Sequence, residues 1–205
     1  VAEGPLAAPI CLRVEPGSTM TAVSGELDAQ GAVTNARIFR MGADYTDKAG
    51  ALKAGSFLIP EGASMAEIVD AITRGGQSTC GTEIVYRIGV NQMAVQVREL
   101  DPATNRYVEL VEFDPLAETV EPPAEFAQVR GRADTRFRIA LAEGVTSWQV
   151  VQGLNAVDVM TGAVPSVPPE GRLAPDSYEI RSGDDRGDLL ALMTARQTQR
   201  LETAW

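Results

Sequence analysis

The sequence contains no histidine, and this absence excludes several kinds of active site at once. Without an imidazole, residues 1–205 hold neither a Ser-His-Asp triad nor a Cys-His pair. A histidine-ligated metal site is excluded for the same reason, and we predict no metal and no other cofactor. Any acid-base chemistry in this chain therefore has to use carboxylates.

Basic residues are also scarce, since 18 lysines and arginines face 28 aspartates and glutamates, for a net charge of −10. A general nucleic-acid binder needs cationic side chains to replace phosphate counterions, so we expect no nucleic-acid partner. Hydrophobic residues make up 44% of the 205 residues, which is enough for one sizeable core or two small ones.

The two ends of the sequence lack the usual boundary signals. "VAEGPLAAPI" has neither a basic stretch nor a long apolar run, so we expect residues 1–10 to be a tail that follows a removed membrane anchor. "DLLALMTARQTQRLETAW" has helical spacing but no glycine or proline terminator. We therefore expect the chain to be cut inside or just after a helix.

What the sequence does contain is one pattern in four copies, each anchored on a glycine. An apolar residue lies three positions before the glycine, a helix-capping residue lies two positions after it, and two apolar residues follow at a spacing of four. Each copy therefore predicts a strand, a tight turn and a capped amphipathic helix. The glycines are Gly17, Gly62, Gly144 and Gly183.

The spacing of the copies predicts an α+β fold with two related strand-helix-helix-strand-helix modules, at residues 11–76 and 136–205. The gap within each pair of copies has room for a second helix. The same pattern also serves simple packing of an α+β core, because glycine supplies a backbone conformation that a side chain hinders.

Between the modules, residues 77–135 form a β-rich insertion with an acidic connector. "QMAVQVREL" and "RYVELVEF" flank the turn sequence "DPATN", which predicts a β-hairpin. The four arginines of "RGRADTRFRIAL" are expected on a solvated face rather than in an anion site.

Three stretches together resemble a known family. "LKAGSFLIPEGASMAEIVDAITRGG", "ALAEGVTSWQVVQGL" and "EGRLAPDSYEIRSGDDRGDLLALM" are similar in order and content to the YceG-like endolytic murein transglycosylases. The pattern Glu-Gly-x-Leu-x-Pro-Asp-[Ser/Thr]-Tyr is the most specific part, and Ser177 stands at its usual threonine position.

The resemblance implies a periplasmic enzyme, held at the inner membrane by one N-terminal helix, with a LysM-like module at residues 11–76 and a second at 136–205. Such enzymes cleave nascent peptidoglycan strands and leave 1,6-anhydroMurNAc ends, with a glutamate as acid and base. Peptidoglycan glycan strands are the implied partner, and cell-wall synthesis proteins are a further candidate.

The family's catalytic glutamate belongs to a helix downstream of the Pro-Asp-Thr-Tyr strand, and this sequence ends at "LETAW" before such a motif. We therefore assign no catalytic residue and expect residues 136–205 to include only the start of the catalytic domain. The favoured function is glycan positioning without catalysis. A non-enzymatic LysM-like envelope-binding protein is the alternative, and an enzyme using Glu143, Glu170 or Asp176 is a distant third.

Two sets of binding residues follow from the resemblance. In the first module, the loops around Gly17, Ser18, Lys53 and Gly55 are candidates for weak glycan binding, although a purely structural module is equally compatible.

In the second module, Asp176 and Tyr178 are candidates for contact with the sugar at the edge of a cleft, although a role that only holds the turn is favoured. A disulfide between Cys11 and Cys80 is expected because the implied compartment is oxidising and the two cysteines flank the first module. Two buried free thiols are the alternative.

Overall fold

The structure is a computed structural model, and it describes residues 3–117, 121–164 and 166–204. The chain divides into two compact units, which do not follow the chain order strictly. Residues 77–135 are shared between the two units, and the predicted domain boundaries at 76 and 135 stay predictions. The first unit comprises Val1–Thr82, Glu99–Val108 and Gly131–Thr135, and the second comprises Glu83–Arg98, Glu109–Arg130 and Arg136–Trp205.

Within the first unit, the described residues 3–76 form two strands and three α-helices in the predicted strand-helix-helix-strand-helix order. The strands pair antiparallel, and Val14 lies opposite Gly55. A separate core of buried side chains, including Leu12, Phe39 and Ile68, fills the space between the strands and the helices. The elements are β1 (Ile10–Val14), α1 (Met20–Ala29), α2 (Ala36–Tyr45), a 3₁₀ turn (Ala49–Ala51), β2 (Gly55–Ile59) and α3 (Met65–Thr73).

The glycine pattern has the local structure that the sequence predicts. Gly17 and Gly62 have φ of 82° and 68°, a region that glycine enters without steric cost. The Thr19 side chain then accepts a hydrogen bond from the Ala22 amide at 3.2 Å, which caps α1. Ser64 forms a reciprocal capping box with Glu67 at the start of α3.

Residues 4–6 are bound to the first unit, although the sequence predicts a tail at 1–10. The Gly4 amide donates to the Gly62 carbonyl at 2.8 Å, and the Gly62 amide donates to the Leu6 carbonyl at 2.9 Å. Leu6 is buried in the core. The apolar side chain and the backbone pairing keep this segment on the unit, which the weak sequence pattern did not indicate.

A five-stranded sheet with the order β5-β4-β3-β6-β7 carries most of the second unit. β3 and β6 are parallel, whereas β6 and β7 are antiparallel. Buried residues such as Ile84, Ile139 and Leu154 form its core. The elements are β3 (Thr82–Ile88), β4 (Met93–Asp101), β5 (Arg106–Phe113), α4 (Ala124–Arg130), β6 (Arg136–Leu141), α5 (Ser147–Ala156), β7 (Ser177–Ile180) and α6 (Arg186–Ala204).

The prediction of a second helix in the second module is wrong. Between α5 and β7, the described residues of 157–176 hold no helix. Prolines at 168, 169 and 175 remove amide donors and push the residues before them towards extended conformations. The C-terminal end of the preceding helix is capped by Arg186. Its guanidinium donates to the carbonyls of Leu154 and Val157, both at 2.7 Å.

The predicted hairpin exists, with β4 and β5 adjacent and joined through the turn at 102–105. It is not a separate insertion, however, because β3 links it to β6 in a single sheet. The acidic connector also contributes to the core. Phe126 of α4 is buried and meets Phe113 edge-on, with ring centroids 5.1 Å apart.

Arginines that the sequence places on a solvated face form ion pairs with carboxylates in the structure. Arg132 lies 2.6 Å from Asp134, and Arg138 lies 3.1 Å from Glu83. Arg138 and Glu83 are distant in sequence, and Arg132 and Asp134 meet across a turn of the chain. The charge run alone therefore does not reveal these ion pairs.

Among the described residues, no helix is long and apolar enough to cross a membrane.

Candidate functional site

The four candidate binding residues of the first unit lie at one end of its two-stranded sheet. The pairing of Val14 with Gly55 puts the turn after β1 beside the segment that leads into β2. Gly17 and Lys53 are exposed at this end, and Ser18 is half-buried. The structure therefore brings these three residues to one accessible edge.

Gly55 has a different role at the same edge. It is buried, its φ is 152°, and an added Cβ would lie 3.1 Å from the Phe57 ring and 3.2 Å from the Ser78 hydroxyl. Close packing explains this glycine. Gly55 can therefore affect a binding surface only through the path of the backbone around it.

Asp176 is the most strongly connected residue of the predicted second site. Its Oδ1 accepts from the Ser177 amide at 2.8 Å, and its Oδ2 accepts from Arg196 at 3.1 Å and Arg200 at 3.0 Å. The Ser177 amide first, and then the two guanidinium groups, hold the pKa of Asp176 below its usual range. This carboxylate is therefore ionised at neutral pH and is a poor proton donor.

Tyr178 is only 1% exposed, and its hydroxyl donates to the Ala174 carbonyl at 2.7 Å. The Arg196 guanidinium lies over the ring, 4.7 Å from its centroid. Tyr178 and Asp176 thus connect the Pro-Asp-Ser-Tyr turn to α6 through the same arginine. These contacts hold the turn, and a role of Asp176 and Tyr178 in glycan binding stays a prediction.

Asp176 does border a surface depression, of about 480 Å³, with residues of α6 as its other walls. Arg196 and Arg200 supply positive charge on one side of it. The depression lies near the C-terminal end of α6. Its lining residues are Asp176, Arg196, Gln199, Arg200, Thr203 and Ala204.

The two remaining candidate carboxylates lie near the start of α5. Glu170 accepts a hydrogen bond from the Ser147 amide at 2.9 Å and so binds a free donor of the helix N-terminus. Glu143 is exposed in the Gly144 turn. Both carboxylates are exposed.

The parallel strands β3 and β6 end side by side, at Ile88 and Leu141. Ligands of α/β sheets tend to bind outside the carboxyl ends of such strands. Here the turn at 89–92 and the first turn of α5 enclose a groove of about 370 Å³ that includes Trp148. Trp148 was not predicted from the sequence, although an aromatic residue two positions after the Thr146 cap, outside the apolar spacing of the repeat, was a usable signal.

A metal site is not apparent in the part of the chain that the structure describes, since no group of three or more acidic or cysteine side chains could hold an ion there. Cys11 and Cys80 are joined by a disulfide, with their Cα atoms 5.9 Å apart. The oxidising compartment that motivated this pairing stays a prediction.

The described residues thus form an α+β fold in which glycine turns precede capped helices. The charged turn at Asp176 is joined to α6 by Arg196 and Arg200. Residues 12–205 match the model of the YceG-like family, and the chain belongs to this family. Curated proteins gave no match.

A solved structure with a similar chain is that of a yceG-like protein from Listeria monocytogenes, at 15% sequence identity and a TM-score of 0.32. The match covers 96% of this chain and 57% of the Listeria chain. This chain therefore spans little more than half the length of the solved relative.

Proposed function

We propose that residues 1–205 position glycan strands for a lytic transglycosylase that cleaves nascent peptidoglycan and leaves 1,6-anhydroMurNAc ends. The family match over residues 12–205 is the observation that carries this proposal. The site of action would be the periplasmic face of the inner membrane, where the substrate is made. The LysM-like character of the first unit belongs to the same proposal and is supported by its strand-helix-helix-strand-helix order.

In this proposal, residues 1–205 do not themselves catalyse the cleavage. A lytic transglycosylase needs a carboxyl group that protonates the glycosidic oxygen and then accepts a proton from the C6 hydroxyl. Asp176 is held ionised by an amide and two arginines, and Glu170 is occupied by the Ser147 amide. The buried carboxylates are engaged as well, since Glu83 pairs with Arg98 and Asp134 pairs with Arg132.

We expect residues 1–205 to release no 1,6-anhydromuropeptides from purified peptidoglycan above background. Binding a substrate without additional interactions in the transition state does not accelerate its cleavage. Digestion followed by chromatography measures the products, and a lytic transglycosylase of known activity on the same peptidoglycan serves as the positive control. Anhydro products from residues 1–205 alone would contradict the proposal and direct attention to Glu143, Glu170 and Asp176.

We expect weak glycan binding at the exposed edge of the first unit. Titration of ¹⁵N-labelled protein with chitooligosaccharides should shift the amide signals of Gly17, Ser18 and Lys53, because the strand pairing places their loops together. Amides of α2 near Tyr45, in the same unit, are the internal control. Unchanged signals at the three loop residues at saturating ligand would mean that this module is purely structural.

A further inference from the structure

The groove beside Trp148 is lined by two kinds of uncharged side chain. Apolar side chains and side-chain amides line it, and no lining residue is ionisable. We propose that it is a second saccharide site, in which the Trp148 indole stacks on the apolar face of a neutral sugar ring. The identity of the sugar as a peptidoglycan glycan rests on the proposed function above. The residues that carry the proposal are Val90, Leu116, Trp148, Asn91, Gln92 and Gln152.

The apolar side of the groove is exposed to an unusual degree. Trp148 is 59% exposed, and Val90 and Leu116 beside it are 49% and 51% exposed. Single exposed apolar residues need no explanation, but several lining one concave surface indicate a binding site. The volume of about 370 Å³ lies within the range of small-molecule sites.

The amides show which kind of ligand fits. Across the described residues, the side chains of Asn91, Gln92 and Gln152 form no hydrogen bond with another part of the protein. Each amide both donates and accepts, as sugar hydroxyl groups do. An anion or cation would find no opposite charge in this groove, and an apolar peptide helix would cover the amides without pairing them.

A sugar ring satisfies both sides of the groove. The C–H bonds on one face of a pyranose carry partial positive charge and suit the negative face of an indole ring. The hydroxyl groups at the rim of the same sugar can pair with the amides. A neutral saccharide is therefore the ligand class that best fits this groove, because it can contact the indole and also form hydrogen bonds with the amides.

The walls of the groove are held in place before any ligand arrives. Gln149 accepts from the Thr146 amide at 2.9 Å and donates through Nε2 to the Val90 carbonyl at 2.7 Å, which ties α5 to the turn after β3. A Cβ at Gly153 would lie 2.6 Å from Ile88, so the helix approaches the strand more closely than a side chain permits. Such preorganisation reduces the entropy that binding costs.

The test uses residues 1–205 with Trp205→Phe, which leaves Trp148 as the only tryptophan of the two in the sequence. Titration with a neutral chitooligosaccharide should change the Trp148 fluorescence in a saturable way. Replacing the ring by Trp148→Ala should weaken binding measured by calorimetry about tenfold, because the stacking contribution is lost. Asn91→Ala and Gln152→Ala should each weaken binding by a smaller factor.

Leu192→Ala is the matched control, since Leu192 is an exposed apolar residue of α6 that does not line the groove. Its affinity should equal that of the parent protein, and thermal melting should show that all variants remain folded. Unchanged Trp148 fluorescence, or equal affinity of Trp148→Ala and parent, overturns the proposal. If the Gly17 and Lys53 amides still shift in that case, the groove fails while the proposed function stands.

Discussion

Reduction of the Cys11–Cys80 disulfide should lower the free energy of unfolding of the first unit by about 4 kcal/mol. The bridge closes a loop across a sequence separation of 69 residues, and a loop of this length restricts the unfolded chain strongly. Domains are stable by only about 5–15 kcal/mol, so the expected loss is a large share of the total. Urea unfolding with and without dithiothreitol measures it.

Two controls separate the disulfide from other effects of the reductant. A Cys11→Ala/Cys80→Ala variant should be about as stable as the reduced protein and should not respond to dithiothreitol. Alkylation of denatured, unreduced protein followed by mass spectrometry should find no modified cysteine, whereas reduced protein should carry two alkyl groups. Two modified cysteines without reduction would contradict the bridge.

The glycine-anchored repeat predicted the first unit well because its information is local. A capping side chain, a positive-φ glycine and two apolar residues four positions apart all lie within one short segment, as from Gly17 to Leu27. Thr19 and Ser64 cap α1 and α3 for this reason. The same logic failed between α5 and β7, where the length of the gap suggested a helix but its prolines forbid one.

Pairings between distant residues were beyond the sequence pattern. β3 joins the hairpin to β6 through a parallel pairing, and such a contact depends on the closure of a long chain segment rather than on neighbouring residues. Glu83 meets Arg138 across these two strands for the same reason. The charge run near residue 130 consequently did not reveal the ion pairs of Arg132 and Arg138.

The candidate site was predictable to different degrees in its different parts. The Pro-Asp-Ser-Tyr motif indicated an ordered turn, and the turn is held by the Ser177 amide and the Ala174 carbonyl. The partners on α6 were not predictable, because Arg196 and Arg200 lie 20 and 24 residues away from Asp176 in sequence. Trp148 was overlooked because its exposed position has no place in the apolar spacing of the repeat.

Glu83 is the buried charge whose removal should destabilise the second unit most. Its side chain is 1% exposed and accepts from Arg98 Nε at 2.8 Å and from Arg138 Nε at 3.1 Å. Glu83→Ala would remove the carboxylate that two guanidinium groups share, and these groups are 28% and 26% exposed. We expect a loss of about 3 kcal/mol, the lower end of the range for breaking a buried ion pair, because water still reaches both arginines.

The matched control for Glu83 is Glu179, which also pairs with Arg138 but has a side chain that is 56% exposed. Glu179→Ala should cost about 1 kcal/mol or less, as exposed ion pairs generally do. The urea unfolding midpoints of both variants measure the difference. In a double-mutant cycle, Arg98→Ala should cost less in the Glu83→Ala background than in the parent, because the two residues share one interaction. Equal effects of Glu83→Ala and Glu179→Ala would show that burial adds nothing to this pair, and that the carboxylate is as well solvated as one on the surface.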